Sequence, residues 1–529
     1  MNWIARKSNI QGDIWPGLPK RFQTFLFFKI KKPGEFKQRL RSFVESGDIT
    51  TADKACEMKD KILAAKLQAQ KLRQPAKILA LPGVNIAFAS TGLAALGKFS
   101  FKDAEVKRNK EFYTKFKSNQ LRGGLFRKGM YDDLVHEGWD NPQEIRDEYT
   151  PSKRLIDGVF LVTSSLQKDL ENKVNRVKEH FLKVHGSGDA NTYEISNDPA
   201  VQFTFVKQGK TRPEKGKEHF GFEDGISQPL IEGLDEVTPK DKEPKSVKSG
   251  SSRLTKGWLA LQINLREARW YTMKQPDWAE DGSFLVFRDL QQLVPEFDKW
   301  LEDNKQHAPN AALSDDPKEK LAAYLMGRWK NGTPVHENPH NDKDKNLFHS
   351  NNFDFHPVEK HDKCPFAAHI RKMRPRGDLD HDHSVIIRRG ISYGGEVTPK
   401  EKLAQKSDNE KQRGLLFVCY QSDIREGFNF LTTRWASNHH FPDRKDKFVG
   451  EHGPGIDAIV GQRQDSHPPR SIGLPDGKDP TEARVVLEQW VIHRGGEYFF
   501  SPSIKALKGY LTDDPDYPPE ITAPRDVVM

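Results

Sequence analysis

Two pairs of apolar runs recur at corresponding places in the two halves of the sequence, and they restrict the folds open to it. The first pair is TFLFFKI at 24–30 and GSFLVF at 282–287, and the second is GVFLVT at 158–163 and GLLFVCY at 414–420. Each run is followed by a predicted helix, at 33–45, 293–301, 165–184 and 423–435, and the first three have the three- and four-residue apolar spacing of an amphipathic helix. A strand followed by a helix, twice in each half, predicts an α+β protein with antiparallel sheets built from two ferredoxin-like units.

A polar segment rich in Lys and Ser, residues 240–256, lies between the halves and is typical of a linker or exposed loop. We therefore expect an N-terminal domain over 1–239 and a C-terminal domain over 257–529. The charged residues 400–412 are expected to form a second exposed insertion. Residues 333–362, rich in His, Asn and Asp, are expected to form a long irregular loop.

The composition excludes several classes of protein. With 35% hydrophobic and 10% aromatic residues the chain can bury a core, which excludes a disordered chain. The net charge of +9 suits anionic small molecules or polyanionic surfaces. No dense basic tract with interleaved aromatic residues is present, so we expect no nucleic-acid partner.

The spacing of the cysteines and the hydropathy of the chain limit the kinds of site it can hold and the cellular location expected for it. Three widely spaced cysteines argue against a disulfide framework and against a Cys-based zinc site. No apolar run reaches the ~20 residues needed to span a bilayer, and the N-terminus lacks the apolar core of a secretory signal. We expect a soluble protein without a membrane partner, either intracellular or secreted with its signal removed.

The segment CPFAAHIRKMRPRGDLDHDHSVIIRRG, residues 364–390, carries the residues with the clearest chemistry. An isolated histidine in such a basic loop is more often structural than a ligand. His369, however, is followed 19 positions later by Arg388, at the end of the strand-like run VII. Imidazole is a common axial ligand of haem iron, and a fixed guanidinium stabilises developing negative charge.

Asp224 lies in a second segment, HFGFEDGISQP. Asp-Gly is a common turn pair, so GxxDG taken alone favours a turn. A carboxylate, with an ordinary pKa near 3.9, can also move a proton between the two oxygens of hydrogen peroxide. The flanking glycines permit close backbone approach to a flat cofactor.

Together, HFGFEDGISQP, CPFAAHIRK…PR and the strand pattern IxRxG resemble the dye-decolourising peroxidase family of haem enzymes, and its fungal members in particular. The resemblance implies two sheets enclosing one haem b per chain, in a fold of the dimeric α+β barrel type. It implies that His369 ligates the iron, that Asp224 is the acid–base residue and that Arg388 assists cleavage of the O–O bond. Arg374 departs from the asparagine that the family most often has there.

The same resemblance implies further residues around the cofactor. The segment GLLF places Leu415 and Phe417 in the haem pocket, and Arg376 is a candidate partner for a haem propionate. Asp457, in GPGIDAIVGQ, is a candidate acceptor for the other ring nitrogen of His369. Arg389 is expected to be structural or to lie near a propionate.

Two groups of residues stay open as functional candidates. Trp329, Tyr393 and Trp435 could carry electrons to bulky reductants at the surface, but each is more often a core residue. The histidines of the 333–362 loop fit no tight metal-ligand spacing, and neither do His381 and His383. We read these histidines as solvated.

The resemblance implies an enzyme that takes hydrogen peroxide, forms a high-valent iron-oxo intermediate, and oxidises dyes, phenols and other aromatic reductants. A homodimer is a further expectation from the family. The alternative is a protein that binds haem in order to deliver haem or iron, with incidental peroxidase activity. That alternative would need His369 but not Asp224.

Overall fold

The computed structural model describes residues 6–98, 121, 124–153, 155–185, 193–195, 198–214, 216–231, 233–235, 254–255, 277–379, 384–443, 445, 449, 453–462, 469–475 and 484–514. The expected linker at 240–256 lies outside the described residues apart from 254–255. His381 and His383 lie outside them as well.

The strands are short to medium in length, and most belong to one large sheet. Their bounds are β1 (Phe22–Ile30), β2 (Gly83–Phe88), β3 (Gly158–Ser164), β4 (Lys183–His185), β5 (Tyr193–Ile195), β6 (Val201–Lys210), β7 (Leu230–Ile231), β8 (Leu254–Thr255), β9 (Ser283–Gln292), β10 (Ile387–Arg388), β11 (Ile391–Tyr393), β12 (Gly414–Gln421), β13 (Ser471–Gly473), β14 (Arg484–Val486) and β15 (Val491–Ser501).

The helices cover the outer faces of this sheet. Their bounds are α1 (Pro33–Glu45), α2 (Ala52–Lys71), α3 (Ser90–Ala95), α4 (Gly124–Lys128), α5 (Gln167–Leu182), α6 (Val294–Asn304), α7 (Pro317–Met326), α8 (His369–Met373), α9 (Pro399–Ala404) and α10 (Ile504–Lys508). Within the described residues, no helix combines the length and the apolar composition needed to cross a bilayer.

Helix α1 shows how the apolar spacing produces these elements. It begins at Pro33, where the missing N–H and the fixed φ of proline suit the first helical turn. Its apolar residues Phe36, Leu40, Phe43 and Val44 recur every three or four positions and are all buried. The helix therefore lies with this side against the sheet, over the residues that the sequence predicts.

The two halves repeat one strand order. In the nine-stranded sheet the order is β10-β12-β9-β15-β2-β3-β1-β6, with β11 also paired to β12. Counted within each half, the spatial order is second, third, first, fourth strand in both cases, and the pairings inside the halves are antiparallel. This is the order of a ferredoxin-like unit, so the predicted fold class is confirmed.

The sheet bends until its two end regions approach each other. A Cβ built on Gly209 of β6 would lie 2.3 Å from Cγ2 of Ile391 in β11 and 3.1 Å from the carbonyl oxygen of Ser392. Only a residue without a side chain allows this approach. Strands β6 and β11 are nonetheless not hydrogen-bonded to each other in the described sheet, so the barrel is incomplete.

The space inside the curved sheet is filled with side chains. Phe25 and Phe27 of β1 pack there against Phe287 of β9, with ring centroids 4.9 and 5.1 Å apart, and Phe499 of β15 belongs to the same core. A cofactor therefore has no room between the two halves. The cavity described below lies instead on the outer face of the strands of the C-terminal half. The resemblance implied a haem enclosed by the two sheets, whereas this cavity borders the sheet of one half.

One local expectation needs correction, and the structure adds detail to a second. Residues 423–435, expected to form a regular helix, contain π-helical turns at Arg425–Asn429 and Leu431–Ala436, with a kink at Gly427. A Cβ on Gly427 would lie 2.2 Å from Oε1 of Gln421, so the turn packs too closely for another residue. The insertion expected at 400–412 contains α9, which begins with a complete capping box between Thr398 and Glu401.

Candidate active site

The cavity is bounded by the outer face of β9, β12 and β15 and by segments from three parts of the chain. Side-chain alternation along the strands turns Arg288 and Leu290 of β9, Leu415 and Phe417 of β12, and His493 of β15 towards it. The remaining walls come from residues 218–229, from α8 and the residues after it, and from residues 428–436 and 459–460. His369, Asp224, Arg388 and Arg376 all line this one cavity.

His369 is held in one orientation by Asp457. The Asp457 side chain is fully buried, and its Oδ2 lies 2.7 Å from Nδ1 of His369. Oδ1 of Asp457 accepts the backbone N–H groups of Ile459 at 2.8 Å and Val460 at 3.0 Å. Burial raises the pKa of Asp457, but His369 and these hydrogen bonds together lower it more, so the carboxylate is ionised.

This pairing determines what His369 offers to the cavity. An ionised carboxylate at Nδ1 requires Nδ1–H as the donor, so in the neutral imidazole the free lone pair is on Nε2. Among the described residues, Nε2 has no hydrogen-bond partner, and the side chain lines the cavity. An imidazole oriented by a buried carboxylate in this way is suited to bind a metal.

A glycine at the end of α7 allows the backbone next to His369 to pack closely. Gly327 has a φ of +89°, and a Cβ there would lie 2.4 Å from Cγ1 of Ile370. Both the left-handed backbone and the close contact exclude other residues. The end of α7 is therefore packed directly against the first turn of α8.

Asp224 and Arg388 form an ion pair at the cavity. Nη1 of Arg388 lies 2.5 Å from Oδ1 of Asp224, and the Gly225 N–H donates to the same oxygen at 2.6 Å. Oδ2 of Asp224 has no partner among the described residues. Burial raises the pKa of Asp224, but Arg388 and the two hydrogen bonds lower it more, so it falls below its usual value.

The segment around Asp224 is a tight turn and also contributes a side chain to the cavity. Gly221 and Gly225 have φ values of +93° and +85°, which favour glycine. A Cβ on Gly225 would meet nothing within 4 Å. The glycines are therefore required by the backbone conformation, and the GFEDG segment is a turn whose Asp224 side chain lines the cavity.

The two neighbouring arginines have different partners. Arg388 is held by Gln228, which accepts its N–H and donates to its carbonyl oxygen, both at 3.0 Å. Arg389 donates to the carbonyl oxygens of Asp13 at 3.0 Å and Ile14 at 3.2 Å and does not line the cavity. Of the two expectations for Arg389, the structural one agrees with these contacts.

A cationic wall completes the cavity. Arg328, Arg374 and Arg376 all line it, and Arg376 is 2% exposed. Burial, followed by the neighbouring arginines, lowers the pKa of Arg376, and burial lowers that of Arg328 to about 10. Among the described residues, no carboxylate lies within ion-pair distance of Arg328 or Arg376. Asn351 accepts from both through its side-chain oxygen.

A polar cluster that the sequence does not predict lies on the sheet face. Nη2 of Arg288 lies 2.9 Å from Oδ2 of the buried Asp140, whose Oδ1 lies 2.9 Å from Nδ1 of His493. Burial raises the pKa of Asp140, but Arg288 and His493 lower it more, to about 2. An arginine inside the run FLVFRD was the only signal, and its partners come from strands and loops far apart in the sequence.

The open candidates are mostly buried. Trp329 is 7% exposed and Trp435 is 2% exposed, stacked on Phe441 with ring centroids 4.9 Å apart; Tyr393 is partly buried. In the 333–362 loop, the expectation of solvated histidines is wrong for His361, which is 6% exposed and stacked on Phe366. Within the described residues, no group of three or more His, Cys, Asp or Glu side chains is placed to hold a metal ion by itself.

The residues present fit a haem. Nε2 of His369 supplies a nitrogen donor, and Leu290, Leu415 and Phe417 supply apolar walls. Arg328 and Arg376 carry buried positive charge without a carboxylate partner among the described residues, which suits the acidic groups of a porphyrin. A flat, dianionic, iron-bearing ligand meets all three requirements.

The comparison with known proteins agrees with this geometry. A family model of the DyP dimeric alpha+beta barrel domain matches residues 9–187, and a model of the Dyp-type peroxidase C-terminal domain matches residues 261–458. The dye-decolorizing peroxidase msp1 of Mycetinis scorodonius is 33% identical over 525 residues, covering 96% of this chain and 87% of that protein.

Solved structures are similar over the same extent. An ancestral D-type dye decolorizing peroxidase is 36% identical with a TM-score of 0.75, covering 96% of this chain and 100% of that one. A dye-decolorizing peroxidase in complex with 2,6-dimethoxyphenol is 30% identical with a TM-score of 0.73, at the same coverage of both chains. A deferrochelatase of Yersinia pestis matches only 29% of this chain and 28% of its own, at 29% identity. This chain therefore belongs to the dye-decolorizing peroxidase family of haem-dependent enzymes and is an oxidoreductase that acts on peroxide.

Proposed function

We propose that the cavity holds one haem b per chain and that the enzyme there uses hydrogen peroxide to oxidise dyes, phenols and other aromatic reductants. The observation that carries the proposal is the combination, in one cavity, of an oriented imidazole with an ionised carboxylate–guanidinium pair. When bound, the haem would supply the redox chemistry that couples reduction of peroxide to oxidation of the reductant.

His369 would bind the haem iron through Nε2. Asp457 fixes the imidazole by accepting the Nδ1 proton at 2.7 Å, and its negative charge makes the ring a stronger electron donor. Asp457 is thus a positioning residue that acts through His369. The two backbone N–H groups on its other oxygen keep it ionised and in place.

Asp224 is the proposed acid–base residue. Oδ1 is engaged by Arg388 and Gly225, so Oδ2 is the oxygen that takes a proton from one peroxide oxygen and returns it to the other. Because the pKa of Asp224 lies below its usual value, the base form is present at acid pH. Catalysis should fall only when the pH drops below the ordinary carboxyl value of about 3.9.

Arg388 is the proposed electrostatic partner of this step. As the O–O bond breaks, negative charge develops on the departing oxygen, and a guanidinium already held in place stabilises it without reorganising. Gln228 and the Ser227 carbonyl hold Arg388 from its backbone and from Nη2. The same guanidinium maintains Asp224 as the base.

Arg376 is the proposed partner of a haem propionate, and Arg328 is placed to assist it. Both guanidiniums lie over the Phe353 ring, at 4.4 and 5.6 Å from its centroid. Leu415 and Phe417 are the proposed apolar contacts of the macrocycle. The division into domains 1–239 and 257–529 and the formation of a homodimer remain proposals that accompany this function.

The alternative, a haem or iron delivery protein, receives less support. The deferrochelatase similarity covers under a third of the chain, whereas the peroxidase similarity covers nearly all of it. A delivery protein also has no need for an ionised Asp224 paired with Arg388. The peroxidase proposal accounts for both features.

Asp224→Asn tests the proposal against this alternative. Removing the base should lower kcat/KM for hydrogen peroxide by about 10³-fold, while the Soret absorbance per chain stays at the parental level. Glu223→Gln is the matched control, because this neighbouring carboxylate pairs with His349 instead, at 2.9 Å. Full peroxide turnover in Asp224→Asn would contradict the assigned role.

A further inference from the structure

Exposed apolar side chains are concentrated in one short part of the surface. Leu63 is 56% exposed, Leu67 50%, Leu72 58% and Ile78 44%. The other large exposed apolar residues of the described chain are scattered singly, as is normal for a soluble surface. We call residues 61–78, the outer part of α2 and the segment after it, the α2 arm.

Helix α2 is anchored at its first turns only. Its buried residues, Ala52 and Ala55, both lie near its start, and beyond residue 60 each residue of the helix is exposed or only partly buried. Leu63 and Leu67 are four positions apart and therefore lie on one side of the helix. The fold leaves this apolar side without a partner among the described residues.

The charge of the α2 arm is strongly one-sided. It contains five basic residues, Lys61, Lys66, Lys71, Arg73 and Lys77, and no acidic residue. All five are exposed, and none forms an ion pair within the described chain. Charge of one sign beside exposed leucines is the pattern of a helix that lies on an anionic surface.

The charge also discriminates between possible occupants. A second copy of the chain would bring the same five positive charges to the contact, and like charges oppose such pairing. An anionic phospholipid surface instead offers negative headgroups to the lysines and an apolar layer to the leucines. The absence of a membrane-spanning run does not bear on this mode, because the helix would lie on the bilayer without crossing it.

We propose that the α2 arm docks the enzyme onto anionic phospholipid membranes, with Leu63 and Leu67 entering the acyl boundary and the basic residues contacting headgroups. The site is independent of the peroxidase cavity, because no residue of the arm lines it. Docking would place the enzyme beside membrane-associated reductants or peroxides without changing its chemistry.

Vesicle flotation with the purified holoenzyme tests the proposal. The protein should float with phosphatidylcholine vesicles that contain phosphatidylserine and stay unbound with phosphatidylcholine alone, and added salt should reduce binding. Leu63→Gln with Leu67→Gln should weaken binding by at least about tenfold. Lys66→Gln with Lys71→Gln, which flank the leucine side of the helix, should weaken it by roughly tenfold or more.

Leu313→Gln with Leu403→Gln is the matched control, because these leucines are 86% and 89% exposed and lie outside the arm. It should bind vesicles like the parent. Equal binding to neutral vesicles, no binding at all, or an equal loss in this control would overturn the proposal. So would gel filtration showing that the Leu63/Leu67 variant dissociates a dimer while the parent does not bind vesicles, which would make the arm an interface between copies.

Discussion

The two halves of the molecule share a strand order but differ in what covers their outer faces. In the N-terminal half, Phe28, Phe36, Phe160 and Phe181 fill the space between sheet and helices, with neighbouring ring centroids 5.1 to 5.6 Å apart. In the C-terminal half, the corresponding face of the sheet borders the cavity. The polar side chains of Arg288 and His493 lie on that face.

The connections explain the difference. In the N-terminal half, α5 leads from the third strand to the fourth and presses Phe181 onto the sheet. In the C-terminal half the same connection contains the π-helical turns at 425–436, and the connection from the first strand to the second carries His369. One fold therefore gives a packed core where regular helices cover it and a ligand cavity where irregular segments do.

Truncating one aromatic residue in each half should lower the free energy of unfolding by different amounts. Phe160→Ala, in the filled half, should lower the free energy of unfolding by about 3–5 kcal/mol because it leaves a void among close-packed rings. Phe417→Ala, on the cavity wall, should cost roughly 1–2 kcal/mol because this side chain is only partly buried among protein atoms. Urea unfolding of the holoenzyme measures both.

Haem retention should show the reverse order, because Phe417→Ala should lose haem and Phe160→Ala should keep it. Phe417→Ala should lose haem faster than the parent when apomyoglobin is added as an acceptor, and Phe160→Ala should not. The comparison of the halves fails if both variants lose the same stability and the same haem. It would also fail if Phe160→Ala alone released the cofactor.

The adjacent arginines give a second contrast, within the C-terminal half. Arg388→Ala should lower kcat/KM for hydrogen peroxide by about 10²-fold, because the developing negative charge loses its donor. Arg389→Ala should instead lower the Tm with little change in kcat, since its hydrogen bonds go to the Asp13 and Ile14 carbonyls. Steady-state kinetics and thermal unfolding of both variants provide the measurement.

Glu497 lies in β15, the strand whose pairing with β2 joins the two halves of the sheet. Burial raises its pKa to about 7, while backbone N–H groups of Met130 and Tyr498 donate to it. The proton it binds in the folded state stabilises the protein fully below about pH 4.5, and this contribution is lost as the pH rises through about 7.

The expected size of this loss is roughly 1–3 kcal/mol. Glu497→Gln keeps an acceptor for the backbone donors but cannot ionise, so its free energy of unfolding should fall less between pH 5 and 8. Urea unfolding at several pH values gives the slope for both proteins. Identical slopes would show that Glu497 titrates normally.

The sequence predicts the regular elements well because their apolar spacing is local. The runs at 24–30 and 414–420 form β1 and β12, and the residues predicted for α1 form that helix. Strand β6 was missed because lysine and glutamine interrupt its apolar residues at the edge of the sheet. The π-helical turns were missed because a spacing of three and four residues does not reveal a close contact such as that of Gly427 with Gln421.

The site residues could be predicted from the sequence only where they lie in a recognisable motif. His369, Asp224 and Arg388 lie in recognisable segments, and all three line the cavity. Arg328 and the Asp140–Arg288–His493 cluster have no such segment, because strand register and long connections bring them together. These residues become neighbours only in the folded protein, so no short sequence pattern reveals them.

The proposed mechanism depends on haem being held through His369 in the cavity of the C-terminal half. The visible absorption spectrum of the purified protein and of His369→Ala, after identical haem loading and with and without added imidazole, tests this most directly. We expect a Soret band at one haem per chain in the parent, its loss or large shift in the variant, and its recovery with imidazole. An unchanged Soret band in His369→Ala would show that His369 does not hold the haem.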